Sequence, residues 1–147
     1  MRIIVQRCDK AEVRVEGNVV GKINYGMMLL VSFTYGDSEK EIDYLVNKVL
    51  NLRIFDDENG VMNKSILDIN GEILSISQFT LYANTSKGNR PSYIDALKGE
   101  DAIKLYDMFN EKLKSKIHTE TGVFGAEMKV DFINDGPITI LLEKENK

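Results

Sequence analysis

Hydrophobic and polar residues alternate along much of this chain, and a period of two residues is typical of strands with one buried face. Glu16-Gly17-Asn18 predicts a hairpin turn between two such strands. Residues 27–33 form a continuous apolar run instead, which predicts a strand buried on both faces. The predicted strands cover residues 2–8, 11–16, 19–23, 27–33, 71–77, 128–132 and 138–142.

Two other segments repeat apolar residues at three- and four-residue spacing, which predicts amphipathic helices. Ser38 and Glu41 form a capping box at the start of the first helix, which is expected to end near Leu52. The second helix is expected from about Asp101 to Lys116. Strands outnumber helices and mostly adjoin through short turns, so the pattern predicts an antiparallel α+β fold. No linker or repeat divides residues 1–147, which are therefore expected to form one domain.

Charge and composition narrow the functional classes. The formal net charge of −4 argues against a broad phosphate-binding surface, because non-specific nucleic-acid binding depends on clustered Lys and Arg. A small contact with an RNA end stays open, with Lys87 and Arg90 as candidates. No apolar run approaches the ~20 residues of a membrane span, and the first residues show no signal-peptide pattern. A single cysteine excludes an intrachain disulfide, so the cytoplasm is the expected compartment.

Two polar segments stand at the ends of predicted strands. Asn134–Thr139 contains Gly136-Pro137, and proline fits poorly inside a sheet because it has no N–H to donate. This segment is either a turn between two strands or a place where bare backbone meets a ligand. Ser77–Tyr82 follows a strand and precedes a polar loop. Its polar side chains either line a pocket or face water.

These two segments belong to an ordered set that extends from one end of the chain to the other. The set comprises Met1–Arg7, Ala11–Val13, Leu52–Asp57, Gly60–Asn63, Ser77–Tyr82, Gly88–Tyr93, Thr121–Met128 and Asn134–Thr139. With these segments in this order, the chain resembles the D-aminoacyl-tRNA deacylases, the D-Tyr-tRNA deacylase family. The resemblance implies barrel-like antiparallel β-sheets with two main helices packed outside.

The resemblance also implies a function. Members of the family are editing hydrolases that cleave the ester of D-aminoacyl-tRNA at its 3′ terminal adenosine, and the same activity is expected on mischarged glycyl-tRNA(Ala). They are homodimers, so each active site is expected to include residues of both subunits. Gly136 and Pro137 would form a Gly-cisPro motif that the partner subunit contributes, and an L side chain would clash with it.

Ser77, Gln78, Phe79 and Thr80 would form the opposing wall of the same site. Their backbone N–H groups and polar side chains would hold the ester carbonyl and the terminal ribose. Phe124 and Tyr82 are either neighbours of the adenine or aromatic residues of the core.

Conventional catalytic side chains are scarce. His118 and Cys8 are the only residues of their types, and the chain has no zinc-binding motif, nucleophile elbow or P-loop. We therefore expect neither a metal nor a cofactor. His118 is interpreted as a helix cap and Cys8 as a core residue. Thr80 is hydroxylic, but a threonine nucleophile needs a base and none is visible nearby.

The substrate can supply the missing group, because the ribose 2′-OH beside the ester can activate water or polarise the carbonyl if the protein holds the geometry. Three hypotheses follow from this sequence. The protein is an ester hydrolase that proofreads chirality, a module that binds an RNA end without catalysis, or a structural dimer.

Overall fold

The computed structural model describes residues 1–147, which form one six-stranded sheet, one two-stranded sheet and two α-helices. The strands are β1 (Arg2–Val15), β2 (Asn18–Ile23), β3 (Gly26–Ser32), β4 (Phe55–Asp56), β5 (Met62–Lys64), β6 (Glu72–Ser77), β7 (Thr119–Thr121) and β8 (Lys129–Glu143). The helices are α1 (Glu39–Asn51) and α2 (Gly99–Lys114), and a short 3-10 helix covers Phe79–Tyr82. Neither α-helix has the length and apolar content needed to cross a membrane.

The main sheet is mixed. Strand order is β2-β1-β3-β6-β7, and β8 also pairs with β1. All pairings of β1 are antiparallel, whereas β3–β6 and β6–β7 are parallel. Parallel neighbours need long crossover connections, and α1 and α2 lie within these two connections. β2 also contacts β6 and β7, so the sheet nearly closes into a barrel. The α+β, barrel-like prediction is confirmed, with parallel pairs added to the expected antiparallel ones.

The core has two parts, one on each side of β3. Met27, Leu29 and Val31 belong to a cluster of 20 buried residues that also includes apolar side chains of both helices. Met28 points to the opposite side, into a smaller cluster of seven buried residues that belong to the strands. The prediction of a strand buried on both faces is confirmed, since Met27–Leu29 are almost fully buried. Each large side chain buried in this way stabilises the fold by about 1.5–3 kcal/mol.

The start of α1 follows the predicted capping box. The Ser38 side chain accepts a hydrogen bond from Lys40 N–H at 3.3 Å, and Ser38 N–H donates to Glu41 Oε2 at 2.8 Å. These bonds satisfy N–H groups that have no partner within the helix. The hydrogen bonds that the Glu41 carboxylate accepts at Ser38 hold its pKa below the usual value, although burial opposes this shift.

The two ends of the chain differ from the prediction. β1 is one continuous strand, and β8 continues through Gly136-Pro137 instead of turning there. Cys8 pairs with Asn134 and Gln6 with Thr139, so residues 135–138 face Arg7 alone. The turn interpretation is therefore wrong, because the long strand β1 offers pairing positions on both sides of this step. Residues 135–138 form a bulge within β8, which we name the β8 bulge.

Candidate active site

A cavity of about 280 Å³ opens where β3 and β6 end. These strands are parallel, with Val31 opposite Ser77, so their carboxyl ends lie side by side. β7 is parallel to β6, which brings the segment after β7 to the same place. Ligands commonly bind at the carboxyl ends of parallel strands. The cavity is lined by Val31, Ser32, Phe33, Ile76, Ser77, Gln78, Phe79, Leu97, Ala102, Phe124, Gly125, Ala126, Met128 and Val130.

Three of the four predicted wall residues, Ser77, Gln78 and Phe79, line this cavity. Gln78 N–H donates to the Val31 carbonyl at 2.8 Å, which ties the segment to the end of β3. Thr80 does not line the cavity, and its hydroxyl accepts a hydrogen bond from Gln78 Nε2 at 2.5 Å. The Phe79 carbonyl accepts from Ser32 Oγ at 3.4 Å. The chain therefore turns sharply after β6 and presents Gln78 and Phe79 to the cavity.

No residue that lines the cavity has an ionisable side chain. The one hydrogen-bond partner of the Thr80 hydroxyl is an amide, which cannot act as a general base. Cys8 is fully buried in the smaller core cluster, and burial raises the pKa of its thiol to about 12. His118 lies just before β7 with its side chain 55% exposed, 3.6 Å from Glu120. The mostly apolar cavity can therefore hold and orient an ester, but its lining provides no acid or base.

Gly136 and Pro137 are exposed at the tip of the β8 bulge. The peptide bond between them is cis. Asn134 Oδ1 closes the base of the bulge by accepting from Ile138 N–H at 2.8 Å. The bulge therefore presents backbone and a proline ring to the surroundings of the chain.

Arg7, on the neighbouring strand β1, contacts the β8 bulge through its guanidinium group. Its Nε donates to the Asp135 carbonyl at 3.0 Å and lies 3.2 Å from the Asp135 carboxylate. Its Nη1 donates to the Ile54 carbonyl at 2.8 Å. Tyr25 Oη donates to the same Asp135 carboxylate at 3.0 Å. Desolvation and this hydrogen bond raise the pKa of Tyr25 to about 12, so the phenol stays protonated and continues to donate.

Within one chain, the cavity and the β8 bulge are separate. The bulge faces Arg7, whereas Ser77 is level with Val31 and Ile3. Val130 of β8 lines the cavity, and Gly136 lies six residues further along the same strand, a span of roughly 20 Å in extended backbone. Neither Gly136 nor Pro137 lines the cavity. A site that uses both needs a second copy of the chain.

The sequence analysis named Ser77, Gln78 and Phe79 on one side of the cavity and a single residue on the other. Phe124 was one of two candidate neighbours of the adenine, and it lines the cavity. Tyr82 does not, since it packs under the Arg2 guanidinium at 4.3 Å, and burial raises the pKa of its phenol. Leu97, Ala102 and Met128 were not predicted as lining residues, because their position at the cavity depends on the parallel pairings. For the part of the lining that follows β7, the available signal was the pair of glycines at Gly122 and Gly125.

Comparison with known proteins agrees with the family resemblance described for the sequence. The family model described as D-Tyr-tRNA(Tyr) deacylase matches residues 4–143. D-aminoacyl-tRNA deacylases of Bacillus cereus strains B4264 and G9842 are each 51% identical over 146 residues, covering 99% of this chain and 100% of the relative.

Two solved structures share the fold. The "c-Myc DNA Unwinding Element Binding Protein" is 40% identical, with a TM-score of 0.94 and 99% of each chain covered. A "probable eukaryotic D-amino acid tRNA deacylase" is 17% identical, with a TM-score of 0.83 and 96% of this chain and 97% of the other covered. The second likeness concerns the fold alone.

Proposed function

Because this chain belongs to the D-Tyr-tRNA(Tyr) deacylase family, we propose that its cavity binds the aminoacylated 3′ end of D-aminoacyl-tRNA as part of a two-subunit site. The protein is a D-aminoacyl-tRNA deacylase, a hydrolase that edits D-aminoacyl-tRNA. The observation that carries the proposal is the cavity itself, which is mostly apolar, has polar groups on one wall, and lacks any ionisable side chain.

The two-subunit site is supported by the surface of β8. No residue of this 15-residue strand is buried, and it pairs with β1 along one edge only. Its apolar side chains Ile133 and Leu141 are 49% and 57% exposed. A twofold axis would bring the same surfaces of two copies together, as in most symmetric dimers. Each β8 bulge would then enter the cavity mouth of the other subunit.

Gly136 and Pro137 would select chirality by exclusion. A bulge that carries no side chain at Gly136 and a rigid ring at Pro137 gives a firm wall of backbone and ring atoms. An L side chain would point into this wall, whereas a D side chain would point away from it. Glycine has no side chain and would not clash with this wall, so the proposed substrates include mischarged glycyl-tRNA(Ala). Selection through a clash with the wrong ligand needs few contacts with the right one.

The ester would be cleaved with help from the tRNA. Water attacks the carbonyl carbon, the bond to the ribose oxygen breaks, and that oxygen takes up a proton. The neighbouring 2′-OH can both donate and accept a hydrogen bond, so it can orient the water and stabilise the leaving oxygen. The first N–H groups of the 3-10 helix, at Phe79 and Thr80, have no acceptor within that helix. They are suited to receive the negative charge on the carbonyl oxygen.

A deacylation assay on matched D-Tyr-tRNA and L-Tyr-tRNA tests this function. The purified protein should release D-tyrosine and leave L-Tyr-tRNA intact over the same period. Glycyl-tRNA(Ala) should behave as the D substrate does. Binding to tRNA without release of D-tyrosine would contradict the proposal. We also propose a cytoplasmic location, because aminoacyl-tRNA is made and used in the cytoplasm.

A further inference from the structure

Two aromatic rings and a lysine lie at the edge of the cavity, with Phe79 and Lys98 exposed and Tyr93 half-buried. The rings of Phe79 and Tyr93 meet edge to face, with centroids 5.2 Å apart and planes at 75°. The Lys98 ammonium lies 4.9 Å from the Phe79 centroid and 5.7 Å from the Tyr93 centroid. We name Phe79, Tyr93 and Lys98 the aromatic–lysine platform.

The platform is fixed to the cavity. Phe79 and Leu97, the neighbour of Lys98, both line the cavity. Leu97 N–H donates to the Phe33 carbonyl at 2.9 Å, and Ala96 N–H donates to the Tyr93 carbonyl at 3.1 Å. Further back, Asn84 and Ser92 exchange two backbone hydrogen bonds of 2.8 and 2.9 Å. The loop that carries Tyr93 is therefore tied down at both ends, close to the cavity mouth.

Exposure and charge suit a nucleotide at this position. Phe79 is 44% exposed even though it lines a mostly apolar cavity, so part of its ring surface is available to a ligand. Lys98 forms no ion pair with a carboxylate, and its charge rests against the two rings. Within residues 83–101, the negative charges of Asp95, Glu100 and Asp101 equal the positive charges in number. The positive charges are those of Lys87, Arg90 and Lys98. The platform therefore offers one local contact and no broad phosphate-binding surface.

We propose that the aromatic–lysine platform binds the nucleotide that precedes the terminal adenosine of the tRNA 3′ end. This inference rests on the proposed function, which places the terminal adenosine in the cavity. The next base would stack on an aromatic ring of the platform, and Lys98 would contact a phosphate. Single-stranded nucleic acids are commonly held by this combination of stacking and positive charge. Lys87 and Arg90, the candidates from the sequence, have no aromatic ring beneath them.

The platform acts on the part of the substrate that a shorter ester lacks. The test compares D-Tyr-tRNA with the D-tyrosyl ester of adenosine, which has the terminal nucleoside and nothing before it. Tyr93→Ala should lower kcat/KM on D-Tyr-tRNA by about 5- to 150-fold, which is the usual effect of losing one stacked base. It should leave kcat/KM on the adenosine ester unchanged. Tyr93→Phe, which keeps the ring, should behave as the wild type on both substrates.

Lys98→Ala should flatten the salt dependence on D-Tyr-tRNA. The slope of log kcat/KM against log salt should fall by about 0.7 for one lost phosphate contact on a single strand. Tyr44→Ala is the matched control, because Tyr44 is 45% exposed on α1 and has the Lys144 ammonium 4.9 Å from its ring. It should change neither substrate.

The outcomes separate this inference from the function on which it rests. Equal losses on both substrates, no loss on either, or a Tyr93→Ala protein that becomes monomeric would overturn the platform while leaving the deacylase function intact. A wild-type protein that cleaves neither D ester would overturn the proposed function and the platform with it.

Discussion

Gly136 is a position at which backbone conformation and neighbouring atoms both exclude a side chain. Its φ of +138° lies in a region that L residues rarely adopt. A Cβ atom would lie 2.8 Å from Cγ1 of Ile138 and 3.0 Å from its backbone nitrogen. The strain is confined to an exposed bulge, so a substitution there should distort the bulge and leave the core intact.

Gly136→Val should therefore lower turnover of D-Tyr-tRNA sharply, by about 100-fold, because small displacements of positioning groups have effects of this size. Thermal unfolding should show a folded protein. Gly60→Val is the matched control, since Gly60 also has a positive φ, +74°, but open space around it. A Gly136→Val enzyme with wild-type turnover would remove the β8 bulge from the active site.

The three side chains that could act as a nucleophile or base should prove dispensable. Thr80→Ala, Cys8→Ala and His118→Ala should each retain activity within about tenfold of the wild type, the largest loss being at Thr80, whose hydrogen bond to Gln78 positions the cavity wall. Single-turnover rates at saturating enzyme measure this. A loss of several thousandfold in any of them would assign that residue to the chemistry.

At the residue scale, the polar residues after a buried strand drew attention to Ser77 and Gln78, and the family resemblance added Phe79. All three line the cavity, and their part in the reaction stays a prediction. The sequence also marked Gly136 and Pro137, whose role in the site stays a prediction, and it left a turn as an alternative. The register with β1, which decides between a turn and a bulge, depends on residues more than a hundred positions away. Local sequence carries no direct record of that pairing.

Among the structural elements, the β8 bulge depends on one side chain from β1. Arg7 is 7% exposed and supplies hydrogen bonds to the carbonyls of Asp135 and Ile54. Its charge also offsets the carboxylate of Asp135. The bulge is thus positioned by a buried cation that a methionine of similar length could not replace.

Arg7→Met should lower the free energy of unfolding by about 2 kcal/mol, because it leaves the buried Ile54 carbonyl and the partly buried Asp135 carbonyl without these donors. It should also reduce turnover of D-Tyr-tRNA by about tenfold or more as the bulge loses its support. Urea unfolding and kcat/KM measure the two effects. Arg14→Met serves as the control, since Arg14 is 36% exposed and its surface ion pair with Glu12 contributes about 0–1 kcal/mol. Equal behaviour of the two variants would show that Arg7 has no special role.

The elements themselves were largely predictable. α1 begins at its predicted capping box, and α2 begins two residues before the predicted Asp101. The parallel pairing of β3 with β6 was not predicted, because alternation shows which face of a strand is buried and not which strand lies beside it. The same gap explains why Phe124 was the only candidate from the wall that the segment after β7 forms.

In the whole molecule, β8 has one unpaired edge and one exposed face, and the apolar side chains of Ile133 and Leu141 lie on that face. We expect a dimer of twice the 16.7 kDa chain mass in light scattering at assay concentrations. Leu141→Lys should shift the protein toward the monomer and reduce deacylation in parallel, because in the proposed two-subunit site each cavity would receive the bulge of the other subunit. Val61→Lys is the control, since Val61 is 57% exposed, as is Leu141, but lies beside β5. A fully active monomer would contradict the two-subunit site.

The central claim is that the tRNA supplies the reactive group and that the protein supplies only geometry. Single-turnover deacylation of D-Tyr-tRNA whose terminal adenosine lacks the 2′-OH tests it most directly. The account predicts cleavage slower by about 100-fold or more, as expected for the loss of a group that positions or transfers protons, with binding largely preserved. Near-normal rates on this substrate, together with an acyl group trapped on Thr80, would contradict the account and identify Thr80 as the nucleophile.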